Sequence, residues 1–311
     1  MGGIDGCRVL KITGVRDLIG RYGPDKSFTR SAGEKCIGLF DETTGRMRFD
    51  AFADLYIQAR DSGKLTPGEV LRFLTSRGVF RVGLDFECPN CQLTSWIHLD
   101  EIKTMSRCIL CGHAFDVTPQ LKDRDWRYRR SGLFGRDDHQ LGGVPVALAI
   151  QQLHITLDEN LLMYSTALEF RPDRARIEPC EADFVAVVAG AAGLREAPVQ
   201  ILLGEAKGHR AFDADDVRKL GGLADAMPPE LAEVFIMFAK TDAFTPDEVH
   251  LALTLNTRGR RRVILWSQDE LEPYDVYERS EAKLGQAQYA TTLTDMAQVT
   301  EQLRWLPAAG S

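Results

Sequence analysis

Four cysteines place the tightest constraint on what this chain can fold into. Cys88-Pro89-Asn90-Cys91 and Cys108-Ile109-Leu110-Cys111 make the pattern C-x2-C-x16-C-x2-C. Each Cys-x-x-Cys closes a tight knuckle that points two sulfurs at one metal, and this spacing is that of four-thiolate structural Zn²⁺ sites. Four thiolates fill a tetrahedral sphere, so the expected zinc is structural and leaves no position for a reactive water. His113, which follows the second knuckle, and His98 are then not needed as ligands.

The arrangement resembles a zinc ribbon occupying residues 81–120, with residues 96–99 as a strand between the knuckles. The other three cysteines, Cys7, Cys36 and Cys180, are expected to be buried free thiols. Disulfides are not expected, because the first ten residues lack the apolar stretch of an export signal. No run of about 18 apolar residues occurs either, so the expectation is a cytoplasmic protein with no membrane partner.

At 311 residues the chain has room for two or three domains. The net charge of −7 argues against a protein that merely coats nucleic acid. It leaves room for a nuclease, since an acidic metal site adds negative charge while basic groups gather elsewhere.

Two apolar segments, 180–188 and 199–207, organise the second half. Val, Ile and Phe crowd both, so they read as neighbouring strands joined by a turn over 190–198. That brings Asp183, Glu205 and Lys207 together, and Glu205 and Lys207, two apart on one strand, leave the same face. Two carboxylates beside an ammonium suit Mg²⁺, which prefers oxygen ligands and keeps positions open for water and phosphate. Metal and lysine together could activate a water in line with a phosphodiester and absorb the charge that develops. These residues resemble the catalytic core of the PD-(D/E)XK, or restriction-endonuclease-like, nucleases, whose motif is an Asp at the start of one strand and Glu-x-Lys on the next. The match covers Asp183, Glu205 and Lys207 and departs from the name-giving form, because Pro does not precede the Asp. The resemblance implies Mg²⁺ on Asp183 and Glu205, helped by the Ala206 carbonyl, with Lys207 at the attacking water. The plainer alternative is that the acids end their strands in solvent and Lys207 pairs with one of them.

The surrounding pattern implies an α/β fold, a mixed central sheet flanked by helices, with a restriction-endonuclease-like core over residues 143–311. Residues 143–155 read as a mostly buried helix. In that family a helix before the first core strand often adds a polar residue near the metal, which makes Gln151 and His154, three apart, auxiliary candidates. Strands follow at 161–170, 234–239 and 263–266, with helices at 211–227, from Thr245-Pro246-Asp247-Glu248 onward, and at 289–306. Arg218 and Lys219 fall on the early turns of the crossover helix, where family members often touch substrate phosphate, and Lys219 is the third auxiliary candidate. His209 and the cluster Arg258, Arg260, Arg261 and Arg262 are expected to be solvated surface.

Residues 1–80 suggest a small α+β region: strands at 9–12, 36–40 and 79–86, helices at 15–22, 49–60 and from Thr66-Pro67-Gly68-Glu69 to about 76. Helices leading into a strand pair suit a winged-helix-like unit that binds DNA; a plain packing domain is the alternative, since nothing identifies a recognition helix. Residues 121–142 read as a basic aromatic linker. Within it Lys122, Arg124, Arg127, Arg129, Arg130 and Arg136 face Asp123 and Asp125, with Trp126, Tyr128 and Phe134 interleaved. Arginines for phosphates and rings for bases suit strand binding, so Arg127, Arg129 and Arg130 are candidate nucleic-acid contacts; otherwise the rings pack and the arginines stay solvated.

The expectation that joins these parts is a zinc-ribbon-bearing, Mg²⁺-dependent deoxyribonuclease acting on DNA, an endonuclease rather than an exonuclease. Resemblance alone adds bacterial anti-phage defence and a homo-oligomer or larger defence complex. The rival expectation is a non-catalytic nucleic-acid-binding or assembly module with a degenerate nuclease fold.

Overall fold

The structure is a computed structural model that describes residues 2–304, apart from 60–62, 123, 136, 158–160, 173–176, 190–198, 257–259 and 286–289. The chain divides into two compact units, Met1–Gln140 and Leu141–Ser311.

In the first unit the described helices and strands are, in order, α1 (Thr13–Arg21), β1 (Phe28–Thr29), α2 (Arg30–Ile37), β2 (Phe40–Asp41), β3 (Arg46–Met47), α3 (Pro67–Ser76), β4 (Phe80–Glu87), β5 (Thr94–His98), β6 (Met105–Arg107), β7 (Ala114–Asp116) and β8 (Arg127–Arg130). Three expected elements differ. Residues 9–12 lie at the end of a 3-10 turn, Asp5–Lys11, rather than in a strand. Of the strand expected over 36–40, Cys36 and Ile37 end α2, which starts where the Thr29 hydroxyl accepts from Ala32 N at 3.2 Å, and only Phe40 is strand, in β2. Gly14 lets the two helices meet: a Cβ there would lie 2.3 Å from the Ile37 carbonyl oxygen. Contact with α1 buries Cys36 and Ile37. Of the helix expected over 49–60, the described residues 49–59 give only a 3-10 turn at Asp50–Phe52, yet Phe49, Phe52 and Ala53 are buried as their spacing required.

Helix α3 begins where the cap signals place it. The Thr66 hydroxyl accepts from Glu69 N at 3.3 Å while the Glu69 carboxylate accepts from Thr66 N at 2.8 Å, and Pro67 takes the first turn. Strands β1, β8, β4 and β5 form one antiparallel sheet in that order. Residues 127–130, expected within a linker, are therefore an inner strand. Tyr128 stacks on Phe28 at 5.6 Å and Phe28 meets Phe80 edge-on at 5.1 Å, so the Tyr128 ring serves packing.

The second unit holds α4 (Asp137–Thr156), β9 (Leu161–Phe170), β10 (Cys180–Ala189), β11 (Val199–Lys207), α5 (Ala214–Ala226), β12 (Ala232–Lys240), α6 (Pro246–Leu253), β13 (Val263–Trp266), α7 (Gln268–Leu271), α8 (Glu281–Leu284) and α9 (Leu293–Arg304). Its sheet runs β13-β12-β11-β10-β9, with β9, β10 and β11 antiparallel and β11, β12 and β13 parallel. This is the mixed α/β sheet that alternating strands and helices imply. The expected turn over 190–198 lies outside the described residues. Helices α5 and α6 bury Leu220, Leu223 and Leu253 in one core with Leu203, Phe238 and Leu265 of the sheet. Each such burial is worth roughly 1.5–3 kcal/mol. On β13 the Leu265 N–H donates to the Thr300 hydroxyl of α9 at 3.1 Å.

Strands β10 and β11 approach with Phe184 opposite Gly204, and a Cβ on Gly204 would sit 2.1 Å from the Phe184 ring. Gly204→Ala is therefore expected to lower stability by about 1–3 kcal/mol through overpacking. Gly222→Ala, on an open stretch of α5, is the control and is expected to be neutral or to stabilise by up to about 1 kcal/mol in chemical denaturation.

Candidate metal centre and acidic cleft

The two knuckles are built alike. Cys88 N donates to Leu93 O at 2.9 Å and Gln92 N to Cys88 O at 2.8 Å; Cys108 N donates to His113 O at 2.8 Å and Gly112 N to Cys108 O at 3.0 Å. Each places a left-handed residue just after its second cysteine, Gln92 at φ +62 and Gly112 at φ +72. The sulfurs lie 3.7 Å apart for Cys88 and Cys111 and 3.5 Å apart for Cys91 and Cys108, and all four ligand atoms fall within 4.8 Å of one another. Tetrahedral Zn–S bonds of about 2.3 Å separate sulfurs by about 3.8 Å. The four thiols thus fit a zinc ion. Leu84, Phe86, Phe115 and Val117 pack with Cys88 and Cys108. His113 is exposed, and the His98 ring accepts from Asp100 N at 3.3 Å, so neither joins the set. Of the other thiols Cys36 is buried, but Cys7 and Cys180 are only partly so, and Cys180 lines the cleft described next.

One step along the β10–β11 register from Phe184 and Gly204 stand Asp183 and Glu205, so the two acids face each other on one side of the sheet. Asp183 Oδ2 accepts from Ala206 N at 2.8 Å, which fastens it across the strands. Lys207 Nζ lies 3.8 Å from Glu205 Oε1, pairs with Asp216, and sits 5.1 Å from the centre of the Phe212 ring. All three predicted residues converge. A cleft of about 500 Å³ opens here, with Glu169, Glu181, Asp183, Glu205, Asp216 and Lys219 in its wall.

Burial raises the carboxyl of Asp183 above its ordinary value, against the pull of the Ala206 N–H. Glu205 is pushed up to about 8, first by burial and then by the charges of Asp183 and Asp216, which outweigh Lys207. Two acids so placed hold on to protons that solvent-exposed carboxylates would release.

Sequence reasoning missed Asp216. Asp213 caps α5, accepting from Asp215 N and Asp216 N at 2.9 Å, and the Asp216 carboxylate accepts back from Asp213 N at 3.2 Å while reaching Lys207. The legible signal was the reciprocal Asp213…Asp216 cap a few residues after Glu-x-Lys. A second support stands behind Phe212, whose N–H donates to Glu248 Oε1 at 3.0 Å. The buried Lys240 ammonium holds both oxygens of Glu248 at 3.0 Å. Lys240 is the β12 neighbour of Lys207.

The auxiliary candidates divide. Gln151 is fully buried, and its amide has no partner among the described residues, whereas His154 is exposed. The helix turns them to different surroundings, and neither lines the cleft. Lys219 does line it, with its ammonium on Asp215 at 2.6 Å. Arg218 bridges to Glu178 at 2.7 Å, and exposed His209 lies 3.6 Å from Asp242. In the basic segment Arg127 pairs with Asp85 at 3.4 Å, and Arg129 lies 5.2 Å from the Trp96 ring centre. Arg130, at the end of β8, is buried, whereas Arg127 and Arg129 are partly exposed. Phe134 is buried and Trp126 exposed; Arg136 and Arg258 lie outside the described residues. Arg262, expected in solvent, is buried against Asp225 at 2.7 Å.

Among the described residues no helix is long and apolar enough to cross a membrane. Protein-family models, curated proteins and solved structures yield no match to this chain.

Two measurements follow from this geometry. Purified protein is expected to carry about one zinc per chain by elemental analysis, and Cys88→Ser or Cys108→Ser to lose it together with the fold of the ribbon. For Glu205 the folded pKa of about 8 exceeds the ordinary value of 4.5, so over that interval the native state keeps a proton that the unfolded state releases. Without added divalent cations, stability should therefore be greatest at the acid end and fall as pH rises from 4.5 towards 8, with a smaller fall in Glu205→Gln, read from denaturation midpoints.

Proposed function

We propose that residues 141–311 form a Mg²⁺-dependent phosphodiesterase of the PD-(D/E)XK kind that cuts DNA, and that the ribbon-bearing unit engages the nucleic acid or a protein that does. The observation that carries this reading is the convergence of Asp183, Glu205 and Lys207 on one face of adjacent strands, followed by the α5 crossover to a parallel strand. The donor set fits the ion. Two partly buried carboxylates that repel each other gain from a divalent cation, and carboxylate oxygens with water are what Mg²⁺ takes. Asp183 and Glu205 would hold it, with the Ala206 carbonyl as the further ligand that the family resemblance suggests. Bound there, Mg²⁺ supplies Lewis acidity to a water and to phosphate oxygens.

The chain's own groups supply the rest. Lys207 brings positive charge to the attacking oxygen and to the phosphorus as it becomes pentavalent. The water oxygen bonds to phosphorus and gives up a proton as the far P–O bond breaks and its departing oxygen takes a proton from solvent, leaving a phosphate monoester on one strand end and a hydroxyl on the other. Asp216 and the Phe212 ring fix the ammonium, which limits the conformers lost on reaching the transition state. Endonucleolytic cutting, a role in cytoplasmic antiviral defence and assembly as a homo-oligomer extend this reading from the resemblance alone. One observation favours the rival reading of a degenerate, non-catalytic module: the Lys207 ammonium is already engaged by Asp216.

The test is cleavage of linear, circular and single-stranded DNA with Mg²⁺ or with EDTA. The expected result is Mg²⁺-dependent cutting that falls at least about 100-fold in Asp183→Ala and Lys207→Ala, with zinc content unchanged. Wild-type protein that leaves all three substrates intact, or variants that cut equally well, would reject the enzyme.

A further inference from the structure

The sheet of the second unit treats its two edges in opposite ways. At one edge β13 is four residues long and fully buried, and its Leu265 N–H is taken by the Thr300 hydroxyl of α9 at 3.1 Å. At the other, β9 runs for ten residues, Leu161–Phe170, with β10 as its one strand partner among the described residues. No hydrogen bond between described residues reaches the outer side of its backbone. Residues 163–167 are all exposed, Met163 to 53% and Tyr164 to 47%. Successive residues of a strand point to opposite faces, so exposure of five in a row means that neither face of β9 is covered there.

The sequence does little to protect this edge. Natural edge strands carry lysine, proline or an inward charge that discourages pairing. From Leu161 the chain reads Leu-Leu-Met-Tyr-Ser-Thr-Ala-Leu, and the first charge after Leu161 is Glu169. One interruption is present. The ladder with β10 is made at Thr166–Phe184 and at Leu168–Ala182 but not at Ala167, which is left-handed at φ +54. That kink turns the end of the strand and leaves 161–166 as the length of edge along which a further strand can pair.

An open edge asks of its partner only an extended segment with free backbone groups and no like charge opposite its own. Strand β9 is itself such a segment. Antiparallel pairing about a two-fold axis at Tyr164 sets Tyr164 against its own copy, Met163 against Ser165 and Leu162 against Thr166, so every opposed pair is uncharged and the central one is aromatic. Copies of a chain at −7 repel each other, and contact along this length opposes no charges. The short strand contact falls at the low end of interface sizes, below about 1,200 Å² in total, so the association is reversible and concentration-dependent. The axis is normal to the sheet, which puts both acidic clefts on one side of the joined strands.

We propose that the outer edge of β9 over 161–166 is the contact between two copies of this chain, paired antiparallel about Tyr164. The proposal stands on the strand edge alone and needs neither Mg²⁺ nor cleavage.

The experiment is sedimentation equilibrium of the zinc-loaded full chain over a dilution series without Mg²⁺. The parent is expected to rise from the mass of one chain to that of two, and no further. Tyr164→Lys and Tyr164→Glu, which oppose like charges across the axis, are each expected to move the midpoint at least about tenfold to higher concentration, and an equimolar mixture of the two to return it to the parent value. Amide hydrogen exchange over 161–166 is expected to slow in the concentrated parent and in neither variant alone. Melting temperatures at the dilute end show whether each variant folds; where one does not, Ser165→Lys with Ser165→Glu, one residue along the exposed strand, takes its place. A parent that stays at one chain throughout overturns the proposal, as do a midpoint that both variants leave in place, a mixture as dissociated as its components, and association that continues beyond two chains. Mass decides this reading and cleavage decides the nuclease. Two-chain protein that leaves DNA intact keeps the strand contact and removes the enzyme; single-chain protein that cuts does the reverse.

Discussion

The second unit is arranged around two like charges held together. Asp183 and Glu205 oppose each other on adjacent antiparallel strands, and the Ala206 N–H fastens Asp183 across the gap. Their spacing is set one residue away, where Gly204 admits the Phe184 ring. Proximity of two partly buried carboxylates is unfavourable unless protons or cations offset it; burial raises both groups, and the Asp183 charge raises Glu205 further. Lys207 offsets part of the charge, and its position is held by Asp216 at the start of α5 and by Phe212 beneath it. Phe212 is in turn held by Glu248, which is neutralised by Lys240 in a pair that solvent scarcely reaches. Breaking such a pair by removing one partner leaves a buried charge, so the support under Lys207 is costly to disturb.

The first unit solves a different problem. Its ribbon hairpins are short, and the cluster of Leu84, Phe86, Phe115 and Val117 is small for a stretch of this length. Four thiols gathered within 4.8 Å let one metal join two hairpins that share few apolar contacts. Repetition of the same backbone hydrogen bonds in both knuckles shows that a local rule, Cys-x-x-Cys followed by a left-handed residue, builds the site twice.

Much of the second unit was legible in the sequence because its strands are buried by neighbours close in the pattern. Apolar runs rich in Val, Ile and Phe between turn signals read as core strands, and Thr245, Asp213 and Pro246 announce their helices through capping chemistry. Spacing alone revealed the four thiols. Illegible features depended on partners far along the chain. The start of the run at Cys36 is helical because α1 crosses it at Gly14, and Arg127–Arg130 is a strand because β1 and β4 accept it on both sides. Gln151 and His154, three apart, could have shared a face; the packing of α4 buries one and exposes the other. Asp216 escaped notice because its cap bond explains it fully, and only the folded strand end shows that the same carboxylate also meets Lys207.

The central claim is that Asp183 and Glu205 together seat a divalent cation. Calorimetric titration of Mg²⁺ into the zinc-loaded chain at about pH 8, repeated in two buffers of different ionisation heat, reads both binding and proton release. The account predicts saturable binding with protons released, abolished in Asp183→Ala and in Glu205→Gln. Binding that survives both substitutions, or no binding by the parent chain, would contradict it.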